Sequence, residues 1–413
     1  MKFPDGFLWG SATSAHQVEG GNFSDWSEWE KQNAERLAKE ARQKWRPGQQ
    51  ERFPEMFDPQ NYISGRACDH YNRYEQDFDI AKELGHNAHR FSLEWSRIEP
   101  EEGKFNEEAI EHYRQVIWAL KKRGIEPFVT LWHWTNPLWL SKIGGPENEK
   151  FPFYFSRYAK FVAENLGDSV NFWITVNEPT SVIGNSYILG EWPPQKKSVL
   201  SAFKVYKNLS RAHILAYLEI HRIIEKSNVG FGNLLKFIEP FNNRSILDRL
   251  VFRIYDYFSN RKFLILTKDK NDFLTVQYYF HEGIKFPFKI NNENKEISDL
   301  GWEIYPEGIF HVLKDLQKYG KPIYITENGL ADAKDEKREK FIKEHLYWIH
   351  KAIQEDVNVR GYFYWSLLDN FEWDKGFWPR FGLVEIDYQT MERKIRPSAQ
   401  EYAKICKNSE LIT

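Results

Sequence analysis

The sequence predicts an α/β fold: one barrel of eight parallel strands alternating with helices, taking up residues 1–413. Three observations carry this prediction. Short apolar runs alternate with longer amphipathic segments from end to end of the chain. The length of 413 residues suits such a barrel, and a hydrophobic content of 41% is enough to fill its core. The competing architecture, a doubly wound open sheet, lacks its dinucleotide fingerprint. Gly230 and Gly232 are not followed by a third glycine, because position 235 is Leu235.

In chain order the expected strands are Phe7 to Ala12, Ala88 to Leu93, Pro127 to Leu131 and Phe172 to Val176. They continue with Val229 to Asn233, Phe273 to Tyr278, Ile323 to Thr326 and Gly361 to Trp365. Helical spacing of apolar residues marks Tyr74 to Leu84, Glu107 to Lys122, Phe153 to Leu166, Ser201 to Lys226 and Glu336 to Gln354 between them. One stretch interrupts the rhythm. From Lys31 to Gln60 the chain is crowded with Lys, Arg, Glu and Gln and has few apolar anchors. It follows the first strand, on the face where barrel loops gather. The expectation is a solvated, mobile loop, with a lid over the site as the sharper alternative.

Charge and cysteine usage exclude several function classes. A formal net charge of −2 provides no footprint for nucleic acid or for an anionic membrane surface, which leaves small neutral molecules as the expected partners. Cys68 and Cys406 are far apart and make no disulfide framework. The first six residues lack the apolar core of a secretory signal, and no run approaches the length of a membrane span. The expected compartment is the cytoplasm. Aromatic content is high at 16%, including 16 tryptophans. A large core accounts for most of these, and a sugar site for the rest, since the C–H face of a pyranose packs on flat rings.

In a barrel, reactive groups stand where strands end and loops begin. The fourth strand runs into Asn177-Glu178-Pro179 and the seventh into Glu327-Asn328-Gly329. Each therefore delivers a glutamate to the same mouth, beside an asparagine and a residue that breaks the strand. Two carboxyls so placed suit glycoside cleavage. The leaving oxygen needs a proton while the oxocarbenium-like carbon needs a nucleophile on its other face. Proximity separates their protonation states, because one negative charge raises the pKa of the other group.

At this point the sequence resembles the family 1 glycoside hydrolases, the β-glucosidase and β-galactosidase family. The likeness covers nearly the whole chain. It runs through Phe7-Leu8-Trp9-Gly10-Ser11-Ala12, Gln17-Val18-Glu19-Gly20, Arg90-Phe91-Ser92-Leu93-Glu94-Trp95 and Thr130-Leu131-Trp132-His133-Trp134. It continues through Thr175-Val176-Asn177-Glu178-Pro179, Ile325-Thr326-Glu327-Asn328-Gly329 and Tyr364-Trp365-Ser366, and ends on Asn370-Phe371-Glu372-Trp373. The resemblance implies a (β/α)8 TIM barrel and a retaining, exo-acting β-glycosidase with Glu178 as acid/base and Glu327 as nucleophile. It implies that Gln17, His133, Asn177, Trp365, Glu372 and Trp373 surround the non-reducing sugar, Asn177 at its 2-hydroxyl and Glu372 as an ionised acceptor. It places Arg90 beside Glu327, where an opposite charge keeps the nucleophile ionised, makes Tyr279 a donor to Glu327, and sets Trp302 on the leaving-group side. It also implies a cis peptide between Trp365 and Ser366.

Two details narrow the substrate to neutral O-glycosides. Glu178 is itself an acid, and after Trp373 the chain lacks the phosphate cradle of the 6-phospho branch. Thr275 and Gln277 depart from the glycine and asparagine usual in this family and leave the contacts near them open. No cofactor and no metal are implied. His86 and His89 are expected on opposite faces of a strand, and His345 and His350 do not share a helix face. Two other readings stay open: an endo-acting retaining glycanase of the same clan, and an inactive sugar-binding barrel.

Overall fold

The computed structural model describes residues 1–412. All eight expected strands are present, with ends moved by no more than two residues. They are β1 (Leu8–Ala12), β2 (Ala88–Ser92), β3 (Glu126–Trp132), β4 (Phe172–Asn177), β5 (Asn228–Gly232), β6 (Leu274–Gln277), β7 (Ile323–Asn328) and β8 (Val359–Trp365). They form one parallel sheet in the order β5-β4-β3-β2-β1-β8-β7-β6, the order of a barrel cut at one seam.

The seam between β5 and β6 is closed by an isolated parallel bridge from Leu234 to Gln277, by Asp272, whose N donates to Val229 O and whose carboxylate accepts from Val229 N, both at 2.8 Å, and by the side chain of Thr275. The Thr275 hydroxyl donates to Phe231 O across 2.6 Å and accepts from Asn233 N at 2.9 Å. It thus supplies what a backbone ladder supplies between other neighbours. Thr275, left open by the sequence, is a closure residue.

Inside the barrel, bulky residues of several strands plug the end opposite the site. Phe128 stacks on Phe172 with ring centroids 4.2 Å apart and meets Phe363 at 4.8 Å and Tyr324 at 5.3 Å. Such a layer makes the interior a packed core rather than a pore, and it puts the polar residues of each strand at the open mouth.

The expected helices are present as α2 (His70–Glu83), α3 (Glu107–Lys122), α4 (Phe151–Leu166), α5 (Val199–Ile223) and α8 (Arg338–Gln354). Unanticipated elements are α6 (Ile246–Asp256), α7 (Glu307–Leu316), α9 (Pro397–Asn408) and a small sheet of Phe237–Pro240, His281–Lys285 and Lys289–Ile290.

The polar stretch 31–60 corrects the expectation of a mobile loop. It lies within α1 (Asp25–Lys44), a short helix Pro47–Arg52 and two single turns. Trp26, Trp29, Ala34, Leu37, Ala38 and Ala41 are buried at helical spacing, and Ser24 caps the helix by accepting from Ser27 N. The apolar stripe escaped notice because half of it is alanine and its two tryptophans precede residue 31. The segment is not a detached lid either. Glu30 accepts from Ser64 N and Oγ at 2.9 and 2.7 Å and meets His16 at 2.6 Å, which ties α1 to the barrel.

Cys68 and Cys406 are buried and free. His86 and His89 do not diverge as expected: both ring Nδ1 atoms approach Ser11 Oγ at 3.3 Å. His86 lies before β2 begins, so strand alternation does not govern it.

Candidate active site

Strict alternation along β7 would not aim Glu327 into the barrel. Tyr324 packs inward with Phe128, so a period of two turns Thr326 inward and Glu327 out. The strand pairing slips instead. Against β6 the register shifts between Ile325 and Glu327, and against β8 between Ile325 and Asn328. The irregularity turns Glu327 inward. β4 does the same: Ile174 is in the inner layer, the register with β5 shifts between Ile174 and Asn177, and Asn177 enters the mouth. Gly232 makes room for it, since a Cβ there would fall 2.3 Å from Asn177 Oδ1. Glu178 follows with φ of +40°, a strained left-handed conformation, and its backbone N donates to Gly232 O at 2.8 Å.

The core of the site is one hydrogen-bond network. The fully buried Arg90 guanidinium donates to Glu327 Oε1, to Asn177 Oδ1 at 2.6 Å and to Thr130 Oγ1 at 3.0 Å. Gln277 Nε2 donates to Asn177 Oδ1 and to Glu327 Oε1, each at 2.8 Å. Tyr279 OH donates to Glu327 Oε2 at 2.9 Å. Because Asn177 Oδ1 receives two donors, its Nδ2 is the donor to His133 Nε2 at 3.0 Å. Burial lowers the His133 pKa, so the ring is neutral and its proton sits on Nδ1. That Nδ1 and Gln277 Oε1 are buried polar atoms without a protein partner.

The two glutamates differ in their surroundings. Glu178 has a single side-chain donor, Ser181 Oγ at 2.7 Å. Burial and then the nearby charge of Glu327 push its carboxyl up to about 8. Burial raises Glu327 as well, but Arg90 and then the Tyr279 hydroxyl oppose it. Arg90 thus offsets burial rather than depressing the group outright, and of this coupled pair Glu327 is the one held as an anion.

On the glycone side, Trp373 stacks parallel to His16 at 5.4 Å and to His133 at 5.9 Å, and Trp365 lies 6.1 Å from His133. The peptide between Trp365 and Ser366 is cis. Gln17 Nε2 donates to Asn370 Oδ1 at 2.9 Å and Phe371 O at 2.8 Å, while its Oε1 accepts from Ser14. Both of its amide hydrogens are therefore spent on the loop that carries Glu372, whose Oε2 stands 3.4 Å away. Loss of solvent pushes the Glu372 carboxyl up to about 8 despite Lys375. A carboxyl so raised can donate one bond when protonated, besides accepting others. Trp302 lies 6.1 Å from Tyr279 and 4.8 Å from Phe280, on the outer flank of Glu327.

The expected residues therefore fall into one mouth. Three others were missed. Ser181 stands three residues after Glu178 on the helix Pro179–Val182, a spacing that signals contact. Trp134, with φ of +78°, packs 4.6 Å from Trp373 and donates from Nε1 to Asn177 O. Gln277 links Asn177 to Glu327. Among the described residues no group of three His, Cys, Asp or Glu is arranged to hold a metal ion.

The model of glycosyl hydrolase family 1 matches residues 1–268 and 256–411. The chain belongs to glycosyl hydrolase family 1. It is 34% identical to β-glucosidase A of Thermotoga maritima over 99% of both chains. Among solved structures it is similar to the β-glycosidase from Pyrococcus horikoshii, with a TM-score of 0.89 and 38% identity over 100% of this chain and 96% of that one. It is also similar to the Thermotoga maritima β-glucosidase in complex with glucoimidazole, with a TM-score of 0.87 and 32% identity over 99% and 100% of the chains. The chain is thus a glycoside hydrolase on a TIM-barrel scaffold.

Proposed function

We propose that this family 1 enzyme releases the terminal sugar of neutral β-glycosides by double displacement, with Glu327 as nucleophile and Glu178 as acid/base. One observation supports this assignment above the others. Glu327 receives Arg90, Gln277 and Tyr279, all donors, whereas Glu178 is buried, has one hydroxyl donor and is pushed up to about 8.

The steps follow from that asymmetry. Glu327 attacks the anomeric carbon as the glycosidic bond breaks, and Glu178 gives its proton to the departing oxygen. The new ester removes the negative charge that helped to raise Glu178, so its pKa falls. Glu178 then takes a proton from water, whose oxygen attacks the anomeric carbon and frees Glu327. Configuration inverts twice and is retained overall.

His133 Nδ1–H and Gln277 Oε1 are the buried groups that sugar hydroxyls would satisfy, and Asn177 keeps one amide hydrogen for the 2-hydroxyl. Trp365, Trp373 and Trp302 provide the flat faces around them. Gln17 braces the Asn370–Glu372 loop over the far side of one sugar, which favours removal of a terminal unit over cleavage within a polymer. Glucose and galactose both fit this description, since Glu372 can accept from a sugar hydroxyl and, when protonated, donate to one. Buried free cysteines favour a reducing compartment, the cytoplasm. No helix among the described residues is long and apolar enough to cross a membrane.

The assignment is tested with a 2-deoxy-2-fluoro β-glycoside carrying an acidic phenol, which slows the second step more than the first. Peptide mass mapping should find the sugar on Glu327. A label on Glu178 would reverse the roles.

A further inference from the structure

Helix α6 is apolar on two sides: Val251, Phe252 and Tyr255 pack inward with Ile238 and Ile284, and a second apolar strip faces outward. Ile246, Leu247, Leu250 and Ile254 fall on one arc at helical spacing and all are exposed, Ile246 to 73%. The two acidic residues of the helix, Asp248 and Asp256, are instead buried, Asp248 accepting from Phe286 N at 3.0 Å. A helix that merely covers a barrel keeps its outer face polar. The apolar strip runs on past the helix end through Tyr257 and Phe258. The Phe258 ring meets Phe203 of α5 at 6.0 Å, and Leu200, one turn before Phe203, is 77% exposed. Isolated exposed apolar residues are ordinary, but a strip continuous over two helices marks an interaction surface.

The charge beside the strip identifies the occupant. Arg249 and Arg253 are exposed along one edge of the arc. On α5 and the turn before it, residues 196–211 contain five basic side chains and no acidic one. Lys262 lays its ammonium over the Phe203 and Phe258 rings, each 4.7 Å from the centroid. The chain as a whole has a formal net charge of −2, so this basic excess is local. A second copy of the chain docked two-fold on the strip would set these like charges against one another. An anionic lipid surface complements them.

We propose that α6 and the start of α5 dock the enzyme on an anionic phospholipid bilayer. The apolar strip enters the headgroup boundary while the flanking arginines and lysines meet lipid phosphates. The association is at the surface, since no helix among the described residues is long and apolar enough to cross. Both elements follow the loops of β4 and β5, so the strip lies on the barrel side that carries Asn177 and Glu178. Docking there presents the mouth to glycosides whose apolar aglycone is held in the bilayer. Docking itself does not depend on the roles assigned to the two glutamates.

Vesicle flotation of the full chain tests the proposal, with phosphatidylcholine alone and with phosphatidylcholine plus phosphatidylglycerol. Binding should be about tenfold or more stronger with phosphatidylglycerol and should weaken with salt. The exposed triple change Ile246→Ser, Leu247→Ser, Leu250→Ser should reduce binding about tenfold while leaving hydrolysis of a soluble aryl glycoside intact. Arg249→Glu with Arg253→Glu should abolish the preference for phosphatidylglycerol. Wild-type protein that floats with neither vesicle overturns the proposal, as does a triple variant that binds like wild type. A wild-type dimer that the triple variant dissociates, with no flotation, would show that a second copy covers the strip.

Discussion

The side-chain amide of Gln277 donates to Glu327 Oε1 across 2.8 Å, on the same oxygen that receives Arg90. Its single Nε2 also reaches Asn177 Oδ1, so Asn177 and Glu327 share one donor. Gln277→Leu removes that donor, leaves the anion less favoured and raises its pKa. The acid limb of kcat/KM should move to higher pH and kcat should fall roughly tenfold to a hundredfold. An unmoved acid limb would reduce Gln277 to a spacer.

Separate truncations distinguish the two carboxyls. Glu327→Ala should disable every substrate regardless of leaving group, because the attacking atom is gone. Glu178→Ala should still give a burst of an acidic phenol, which needs little protonation, followed by slow turnover. Azide, which needs no general base, should restore turnover and give the β-glycosyl azide. A burst from the Glu327 variant in place of the Glu178 variant would show the roles reversed.

The pH profile follows from Glu178. The free enzyme is competent with Glu178 protonated, so kcat/KM should fall on the alkaline side at about pH 8. The same shift affects stability. A carboxyl raised from 4.5 to about 8 keeps in the folded state a proton that the unfolded chain releases, so stability present at low pH is lost as pH rises through that range. Glu178→Gln lacks this loss. Its melting temperature should exceed that of wild type by more at about pH 9 than at about pH 5, and an equal difference at both would mean the carboxyl is not raised in the fold.

Helix α1 should prove structural. Trp26 packs 4.6 Å from Trp373 and 5.4 Å from Trp192, beneath the sugar platform. Trp26→Ala should cost about 3–5 kcal/mol in denaturant unfolding. Deleting residues 31–60 should yield no folded enzyme; an active, folded deletion would return the segment to the status of a lid.

At the seam, Thr275→Val preserves shape but removes both the donor to Phe231 O and the acceptor for Asn233 N. A loss of about 1–3 kcal/mol is expected, with Thr275→Ser close to wild type. Equal stability of the valine variant would mean that the Leu234–Gln277 bridge and the Asp272–Val229 bonds close the barrel without it.

The strands were legible in sequence because each is a compact apolar run bounded by polar or turn residues, and Glu178 and Glu327 because each ends such a run. Helix α1 was not, since alanines carry little hydrophobic contrast and its tryptophans lay outside the stretch that drew attention. The slips in β4 and β7 leave no compositional trace, so the inward aim of Asn177 and Glu327 was invisible. Gln277 was visible only as a departure; that its amide bridges Asn177 and Glu327 depends on β4, β6 and β7 meeting in space. The raised pKa of Glu372 was not legible either, because burial, which sets it, is not written in the residues beside it.

The slips in β4 and β7 also limit how this barrel can be redesigned. Inserting or deleting a residue within a loop leaves the aim of both strands alone. A glutamate transplanted onto the end of a regular strand, with every neighbouring motif copied, would point at the helices unless the misregistration travelled with it. The transferable unit is therefore a strand together with its register mismatch, on both sides for β7 and against β5 for β4, and grafts that carry the motif alone should fold and remain silent.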